Sequence, residues 1–406
     1  RVIGSESKNI ETFANSLERG LVKTNYPKQY NQMIVSLLKT LLDYRAVSKI
    51  NSTYLKSWQT LHKGGRIHTT FIQTYAESGR LSSRHPNLQN CPRPDTTQFL
   101  EKYLGEPLDM RSMFVAPPGM VLITADYSQY ELRVAAERSM EYKMIDVYQQ
   151  EYEVRTRIEE LLREYGYYPW QDVELEDERY QQLKKELAAL DFHKRNAALI
   201  FRKELDEVTK QERSEAKAIS FGVLYGMQAP SLAETINRLT GRDITIDEAQ
   251  DLLDRYFQTY KQLKRYIDMT IHHAERNGYV TSILGRKRWC SFPRNISERG
   301  IHALMTSLKA TIDREAVNHT IQATNADATK IALVLLNEEL TIRGYDIDTT
   351  YPVLTVHDEI VVQSPKETAN EVALLLRNCM IEGSKRAGMK LVPTVVELSI
   401  GPCWSK

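Results

Sequence analysis

Two apolar, β-rich runs that each lead into an aspartate constrain this chain more than any other feature. Met120 to Ala125 reads MVLITA and precedes Asp126; Pro352 to Val356 reads PVLTV and precedes His357, Asp358 and Glu359, after which Ile360 to Val362 is apolar again. Runs this short and this rich in β-branched residues read as buried strands, and the second pair reads as a hairpin with an acidic tip. An acid at the end of an apolar strand reaches a cleft without being buried unpaired. More than half the chain separates the two aspartates. If their strands are neighbours in one sheet, the two carboxylates meet.

A second pattern lies between them, in RSEAKAISFGVLYG. Arg213, Lys217, Phe221 and Tyr225 recur every four residues, and at roughly 100° per residue that series drifts only about 40° per step along one helix face. Two cations precede two rings on a stripe roughly 18 Å long. The stripe suits an extended ligand with an anionic end and a flat end, as a nucleoside triphosphate has. An ordinary amphipathic surface helix has the same spacing, so the four residues alone leave both readings open.

With 406 residues, 42% of them hydrophobic, the chain can bury a large core divided into two or three lobes. Lys and Arg number 54 against 53 Asp and Glu, a net charge of +1, so a polyanionic partner must be met by a local patch. Cys91, Cys290, Cys379 and Cys403 are far apart and form no C-x-x-C pair, which fits free thiols rather than a disulfide frame or zinc site. No signal peptide and no run of about 18 apolar residues is present, so no membrane partner is expected. A first residue of Arg1 rather than Met implies a start inside a longer product.

Local patterns give further expectations. Residues 1–60 read as helical, with Met33, Ile34, Leu37, Leu38, Leu41, Leu42 and Ile50 forming a core-packing stripe. Gly64-Gly65 punctuates a hairpin and Arg66 to Thr74 reads as a strand. Ser128-x-x-Glu131 and Thr245-x-x-Glu248 have the capping-box spacing, the second opening a helix that ends near Asn277-Gly278. Residues 141–189 mix acids and bases at helical separation, as a salt-bridged, solvated helical pair would. Arg286, Lys287 and Arg288 read as surface charge, and Arg314, Asn318 and Gln322 share one helix face.

Taken together the motifs resemble those of family A DNA polymerases, the bacterial DNA polymerase I class. Arg213, Lys217, Phe221, Gly222, Tyr225 and Gly226 match Arg-x-x-x-Lys-x-x-x-Phe/Tyr-Gly-x-x-Tyr-Gly, the family's nucleotide-binding helix. DYSQYELR, from Asp126, is similar to DYSQIELR; HDE at 357–359 is similar to the second catalytic motif; SGRLSSRHPNLQNCPRP and the closing VELSIGPCWSK also resemble family segments. The likeness runs from about residue 40 to the C-terminus, apart from 141–189. Tyr130 departs from the usual Ile, Ser214 from Arg, Ala218 from Thr, Ser220 from Asn and Ala323 from Gly.

The resemblance implies an α+β right-hand polymerase: a helical thumb (1–62), an antiparallel-sheet palm (63–135 and 301–406) and helical fingers (136–300) with the charged insertion at 141–189. It implies DNA-templated addition of deoxynucleotides to a primer 3′-hydroxyl, with pyrophosphate released. Two Mg²⁺ ions would be held by Asp126, Asp358 and the carbonyl of Tyr127, with Gln129 and Glu359 in support. Glu131, His193, Arg213, Lys217, Phe221 and Tyr225 would bind the nucleotide, Lys217 also protonating the leaving group. Ser52, Thr53, Arg80, Asn87, Gln89, Asn90, Arg111, Arg314, Asn318, Gln322 and His357 would meet primer-template DNA. The expected protein is a monomer inside a bacterial or phage-infected cell or an organelle matrix, and one without proofreading, since no upstream segment is long enough for an exonuclease. A catalytically silent DNA-binding subunit, or a polymerase using ribonucleotides or an RNA template, is the alternative; Glu131 argues against ribonucleotides.

Overall fold

The computed structural model describes residues 6–18, 22, 26–291 and 302–404. They fall into two units, one of residues 1–72 and 82–111 and the other of 73–81 and 112–406.

The larger unit is built on a four-stranded antiparallel sheet of β1 (Met120–Tyr127), β2 (Tyr351–Val356), β3 (Glu359–Pro365) and β4 (Val396–Gly401), in the order β2-β3-β1-β4. β1 therefore pairs with β3, the returning strand of the hairpin whose tip bears Asp358, while β2, the run that leads into that aspartate, lies one strand further out. Val121 to Ala125 are buried without alternation, so both faces of β1 are covered, which is what an unbroken apolar run demands. Ile123, Ala125, Ile360 and Val362 join one core with Leu376 and Met380.

Ten helices of this unit, in chain order, are α1 (Tyr130–Ser139), α2 (Tyr142–Glu164), α3 (Glu178–Ala189), α4 (Phe192–Phe201), α5 (Lys210–Leu224), α6 (Ala229–Thr240), α7 (Ile246–Thr259), α8 (Lys261–Asn277), α9 (His302–Ile342) and α10 (Ala369–Arg386). Capping boxes open α5, through Thr209 and Glu212, and α7, through Thr245 and Glu248. The helix expected to run on to Gly278 is two: Tyr260, at φ −110° and ψ 66°, breaks it. The expected box at Ser128 and Glu131 does not form. Gln129 occupies the N-cap at φ 51° with no side-chain cap, Ser128 Oγ donates to Glu397 at 2.8 Å, and Glu131 turns to other partners. Tertiary acceptors outcompete the local one here.

The charged insertion is a helical hairpin of α2 and α3 with its own core of Val154, Ile158, Leu161, Leu162, Tyr180, Leu183 and Leu190. It is fastened rather than merely solvated. Fully buried Arg133 of α1 donates to Glu151 of α2 at 2.7 Å, and Arg377 of α10 grips Glu159 at 2.5 and 3.0 Å. Its outward pairs, such as Arg157 with Glu186, are exposed and contribute little. Arg286 and Arg288 are likewise engaged, with Asp327 and with Glu77 and Glu315, so that cluster is not free surface charge.

In the smaller unit, helices Ser7–Glu18 and Lys28–Lys49 lead into a π-helical stretch, Ile50–Leu55, and then Lys56–Leu61. Lys63 and Arg66 bridge around Gly64 and Gly65, whose φ of 56° and 78° suit a tight hairpin turn. The strand expected over Arg66–Thr74 contracts to Thr70–Ile72, paired with Ser82–Arg84. The long apolar stripe is core only in part: Met33 is 63% and Leu37 67% exposed, Ile34, Leu38, Leu41 and Leu42 are half-buried, and Ile50 is buried. Within this unit Ser7–Glu18 packs along the long helix, and Lys102 and Tyr103 donate to its Asp43. The four cysteines are free thiols as expected, and no described helix is long and apolar enough to cross a membrane.

Candidate active site

Register decides where the two aspartates go. Asp126 pairs with Glu359 on β3 and with Glu397 on β4. Asp358 stands in the two-residue turn closing the β2–β3 hairpin, beside His357 at φ 58°. A left-handed first turn position is normally filled by Gly, Asn or Asp, so His357 carries backbone strain at this tip. Burial first, and then the Asp126 charge, push the Asp358 carboxyl well above the usual carboxylate range, against the pull of Arg80. Two carboxylates crowded this way are relieved by a proton or by a cation between them. Among the described residues no group of three or more His, Cys, Asp or Glu could hold a metal; the donors here are a pair of hard carboxylate oxygens.

The neighbours of the pair hold the frame. Buried Glu359 accepts from Trp404 Nε1 at 2.5 Å, which ties down the C-terminal segment. Tyr127 donates its hydroxyl to the Met380 carbonyl at 2.7 Å and stacks on Tyr130 at 4.4 Å between centroids. Tyr130 explains itself by finding a buried partner: its hydroxyl donates to Ser384 Oγ at 2.7 Å. Gln129 Oε1 accepts a long bond, 3.4 Å, from the Tyr148 hydroxyl.

Glu131, released from its capping role, is a junction. One carboxylate oxygen accepts from Arg80 Nη2 at 2.6 Å and the other accepts from the Tyr225 hydroxyl. Three residues expected at the site from separate motifs thus meet. Burial and the Glu131 charge raise the Tyr225 phenol, while Gln322 of α9 acts on it in the opposite sense. Gly226 follows at φ 64°, and a Cβ there would stand 2.4 Å from Arg314 Cγ. Only glycine lets the end of α5 approach α9 this closely.

Along α5 the stripe is as the spacing required, but its members are not equivalent. Arg213 is held by Asp191 Oδ2 at 3.0 Å from Nε and 2.6 Å from Nη2. Lys217 is exposed and Phe221 half-buried, its ring 5.8 Å from that of His193. Ser220 is buried and accepts from Asn196 Nδ2 at 3.0 Å, so that departure is accommodated inside the core. His193 is buried, with Nδ1 lacking a hydrogen-bond partner among the described residues. Burial chiefly lowers its pKa to about 4, with Asp191 opposing and Lys217 and Arg213 assisting. At neutral pH it can offer a phosphate an N–H but no charge.

On α9, Arg314 is exposed and Asn318 and Gln322 half-buried; Arg314 folds back on its own helix, donating to the Ala310 carbonyl at 3.2 Å and Thr311 Oγ1 at 3.0 Å. In the smaller unit Ser52 and Thr53 are exposed on the π-helical turn, and Ser52 Oγ donates to the Ser48 carbonyl at 2.7 Å. Asn87 and Gln89 differ from freely presented contacts. Asn87 Oδ1 accepts from Gln89 N, and the buried Gln89 uses Oε1 to accept from Ser83 N, each at 3.1 Å. Their amide oxygens build the loop. The Asn90 carbonyl accepts from the Tyr54 hydroxyl at 2.7 Å, and Arg111 is buried.

Sequence reasoning missed Asp191, Arg133 and Glu151. An aspartate before a helix is legible as an N-cap, and Asp191 does accept from Lys194 N at 2.7 Å; its hold on Arg213, on another helix, had no local signal.

A family model described as DNA polymerase family A matches residues 18–406. The chain is similar to DNA polymerase I of Chloroflexus aurantiacus, 32% identical over 90% of this chain and 32% of that protein. It is also similar to the thermostable DNA polymerase I of Thermus aquaticus, 32% identical over 91% and 36%, and to DNA polymerase I of Aquifex aeolicus, 31% identical over 96% and 54%. The chain therefore spans from about a third to about half the length of these relatives. Among solved structures it is similar to the POL domain of Pol1 from M. smegmatis, determined in complex with DNA primer-template and dNTP. The TM-score is 0.69 at 25% identity, covering 98% of this chain and 64% of that one.

Proposed function

Because the chain belongs to DNA polymerase family A, we propose that it extends a DNA primer on a DNA template, adding deoxynucleotides to the 3′-hydroxyl and releasing pyrophosphate. The observation that carries this reading is the β1–β3 register, which brings Asp126 beside the tip that bears Asp358. A binding protein has no use for two carboxylates held against their mutual repulsion. That argues against the silent subunit, and the similar solved complex with primer-template and dNTP supports the same choice of partners.

In this reading residues 1–62 form the thumb, 63–135 and 301–406 the palm, and 136–300 the fingers. The Asp126 and Asp358 carboxylates, with the Tyr127 carbonyl, suit Mg²⁺, a hard cation that completes its shell with water and phosphate oxygens. When bound, two such ions supply Lewis-acid activation of the primer hydroxyl and charge neutralisation on the phosphates. The protein's share is placement and electrostatics. Arg213 and Lys217 hold the distal phosphates, and Lys217 gives a proton to the departing pyrophosphate, which an arginine cannot do. His193 donates a neutral N–H to the same group. Phe221 stacks near the base and sugar, and Tyr225 closes the pocket. Glu131 occupies the space a ribose 2′-hydroxyl would need. Gln129 and Glu359 brace the metal-binding strands. Arg80, Arg314, Asn318, Gln322 and His357 meet the primer end, while Ser52, Thr53, Asn87, Gln89, Asn90 and Arg111 position the duplex. The protein works as an intracellular monomer.

Extension of a labelled primer with Mg²⁺ and either deoxy- or ribonucleotides tests this, with the intact chain beside Asp358→Ala. Deoxynucleotide addition that disappears in the variant is the expected result. Tight primer-template binding without extension would leave the silent subunit instead.

A further inference from the structure

The two cations of the α5 stripe are held differently. Lys217 has no carboxylate within ion-pair distance among the described residues, whereas Arg213 makes two hydrogen bonds to one oxygen of Asp191. The other Asp191 oxygen accepts from Lys194 N at 2.7 Å and caps α4, the helix that carries His193. One carboxylate thus joins the start of α4 to the phosphate-facing cation of α5. Burial raises its pKa, but the Arg213 and Lys194 hydrogen bonds outweigh that and leave it below its ordinary value, so it is an anion wherever a polymerase would work.

We propose that Asp191 is a positioning residue that acts through Arg213 as an internal stand-in for the nucleotide's phosphates, so that triphosphate binds, and pyrophosphate leaves, by exchange with this carboxylate. The inference rests on the polymerase reading of the same site. A guanidinium offers its N–H donors in one planar fork. The Nε and Nη2 edge that would clasp a phosphate is the edge Asp191 now occupies. An incoming triphosphate must displace the carboxylate or share the guanidinium with it, and either way part of its attraction is spent on the exchange. The same competition favours release: once pyrophosphate forms, Asp191 recaptures Arg213. The pair is partly exposed, with side chains 43% and 28% accessible, so the effect is moderate in size and weakens with salt.

Asp191→Asn separates the charge from the cap, because Asn caps helices as well as Asp. In single-nucleotide addition by the full chain, the variant is expected to lower KM for the nucleotide and the inhibition constant for pyrophosphate, each about threefold to tenfold. Release-limited kcat should fall. In an Arg213→Gln background the substitution should change neither constant, a result that a purely structural role for Asp191 would not produce. An unchanged or raised KM, or the same effect without Arg213, overturns the proposal. Asp191→Ser, which also caps, stands in if the Asn variant melts early. If the wild-type chain does not extend primers, the polymerase reading fails by itself. Calorimetric titration of the full chain with pyrophosphate then decides the inference: tighter binding by Asp191→Asn supports it, and equal or weaker binding refutes it.

Discussion

Replacing Glu151 with Ala is expected to destabilise the protein strongly, although Glu151 lies in the charged insertion and outside every motif. Arg133 is fully buried on α1, and its Nη2 donates to Glu151 at 2.7 Å. Removing one partner of a buried ion pair strands the other charge, at a cost of about 3–5 kcal/mol. Arg133 would keep the Ser128 carbonyl at 2.9 Å, the Pro393 carbonyl at 3.0 Å and the Tyr148 ring at 4.3 Å from Cζ. Those contacts retain part of the stabilisation, so about 3 kcal/mol is the expected loss. Glu151→Gln keeps an acceptor and the volume, and about 1–2 kcal/mol is expected. Arg133→Met combined with Glu151→Met strands no buried charge, since Arg155, which donates to the other Glu151 oxygen at 2.8 Å, reaches solvent, and it should recover most of the difference. Urea denaturation of the single and double variants, followed by tryptophan fluorescence and far-UV circular dichroism, completes the cycle. A Glu151→Ala loss below about 1 kcal/mol would refute the reasoning, because it would mean water reaches Arg133.

Two other perturbations follow from the geometry around α5. His193 has its pKa lowered from 6.5 to about 4, so between those values the unfolded chain takes up a proton that the native state refuses. Its contribution is complete above pH 6.5 and is lost as pH falls towards 4, by up to about 3 kcal/mol. The stability difference between the wild type and His193→Gln, from denaturation midpoints across that window, should show this slope and flatten below it. Gly226→Ala places a Cβ 2.4 Å from Arg314 Cγ at φ 64°; a loss of about 1–3 kcal/mol is expected. Arg314→Ala should recover the steric part of that loss in thermal melts, leaving the backbone strain.

What the sequence determined by itself is whatever nearest neighbours decide. The unbroken apolar run of β1, the hairpin around His357 and Asp358, the capping box at Thr245 and Glu248, and the stripe from Arg213 to Tyr225 each have their cause within a few residues, and each is present. The motif resemblance extended that local reading to the family. What only the tertiary structure decided is which partner each polar or apolar group finds. A one-residue slip between β1 and β3 would turn Asp126 to the opposite face, and nothing near Asp126 prevents it; the whole sheet does. Ser128 and Glu131 had capping-box spacing, yet Glu397, Arg80 and Tyr225 claimed them. The stripe on Lys28–Lys49 had helical period, yet Met33 and Leu37 stayed exposed and Ile34, Leu38, Leu41 and Leu42 only half-buried. Asp191 carried no expectation and Glu151 fell among residues read as solvated charge, yet both became the partners of cations on other helices. Periodicity and capping depend on neighbours along the chain, whereas desolvation and ion pairing depend on what folding brings near, and much of this site is assembled by the second kind.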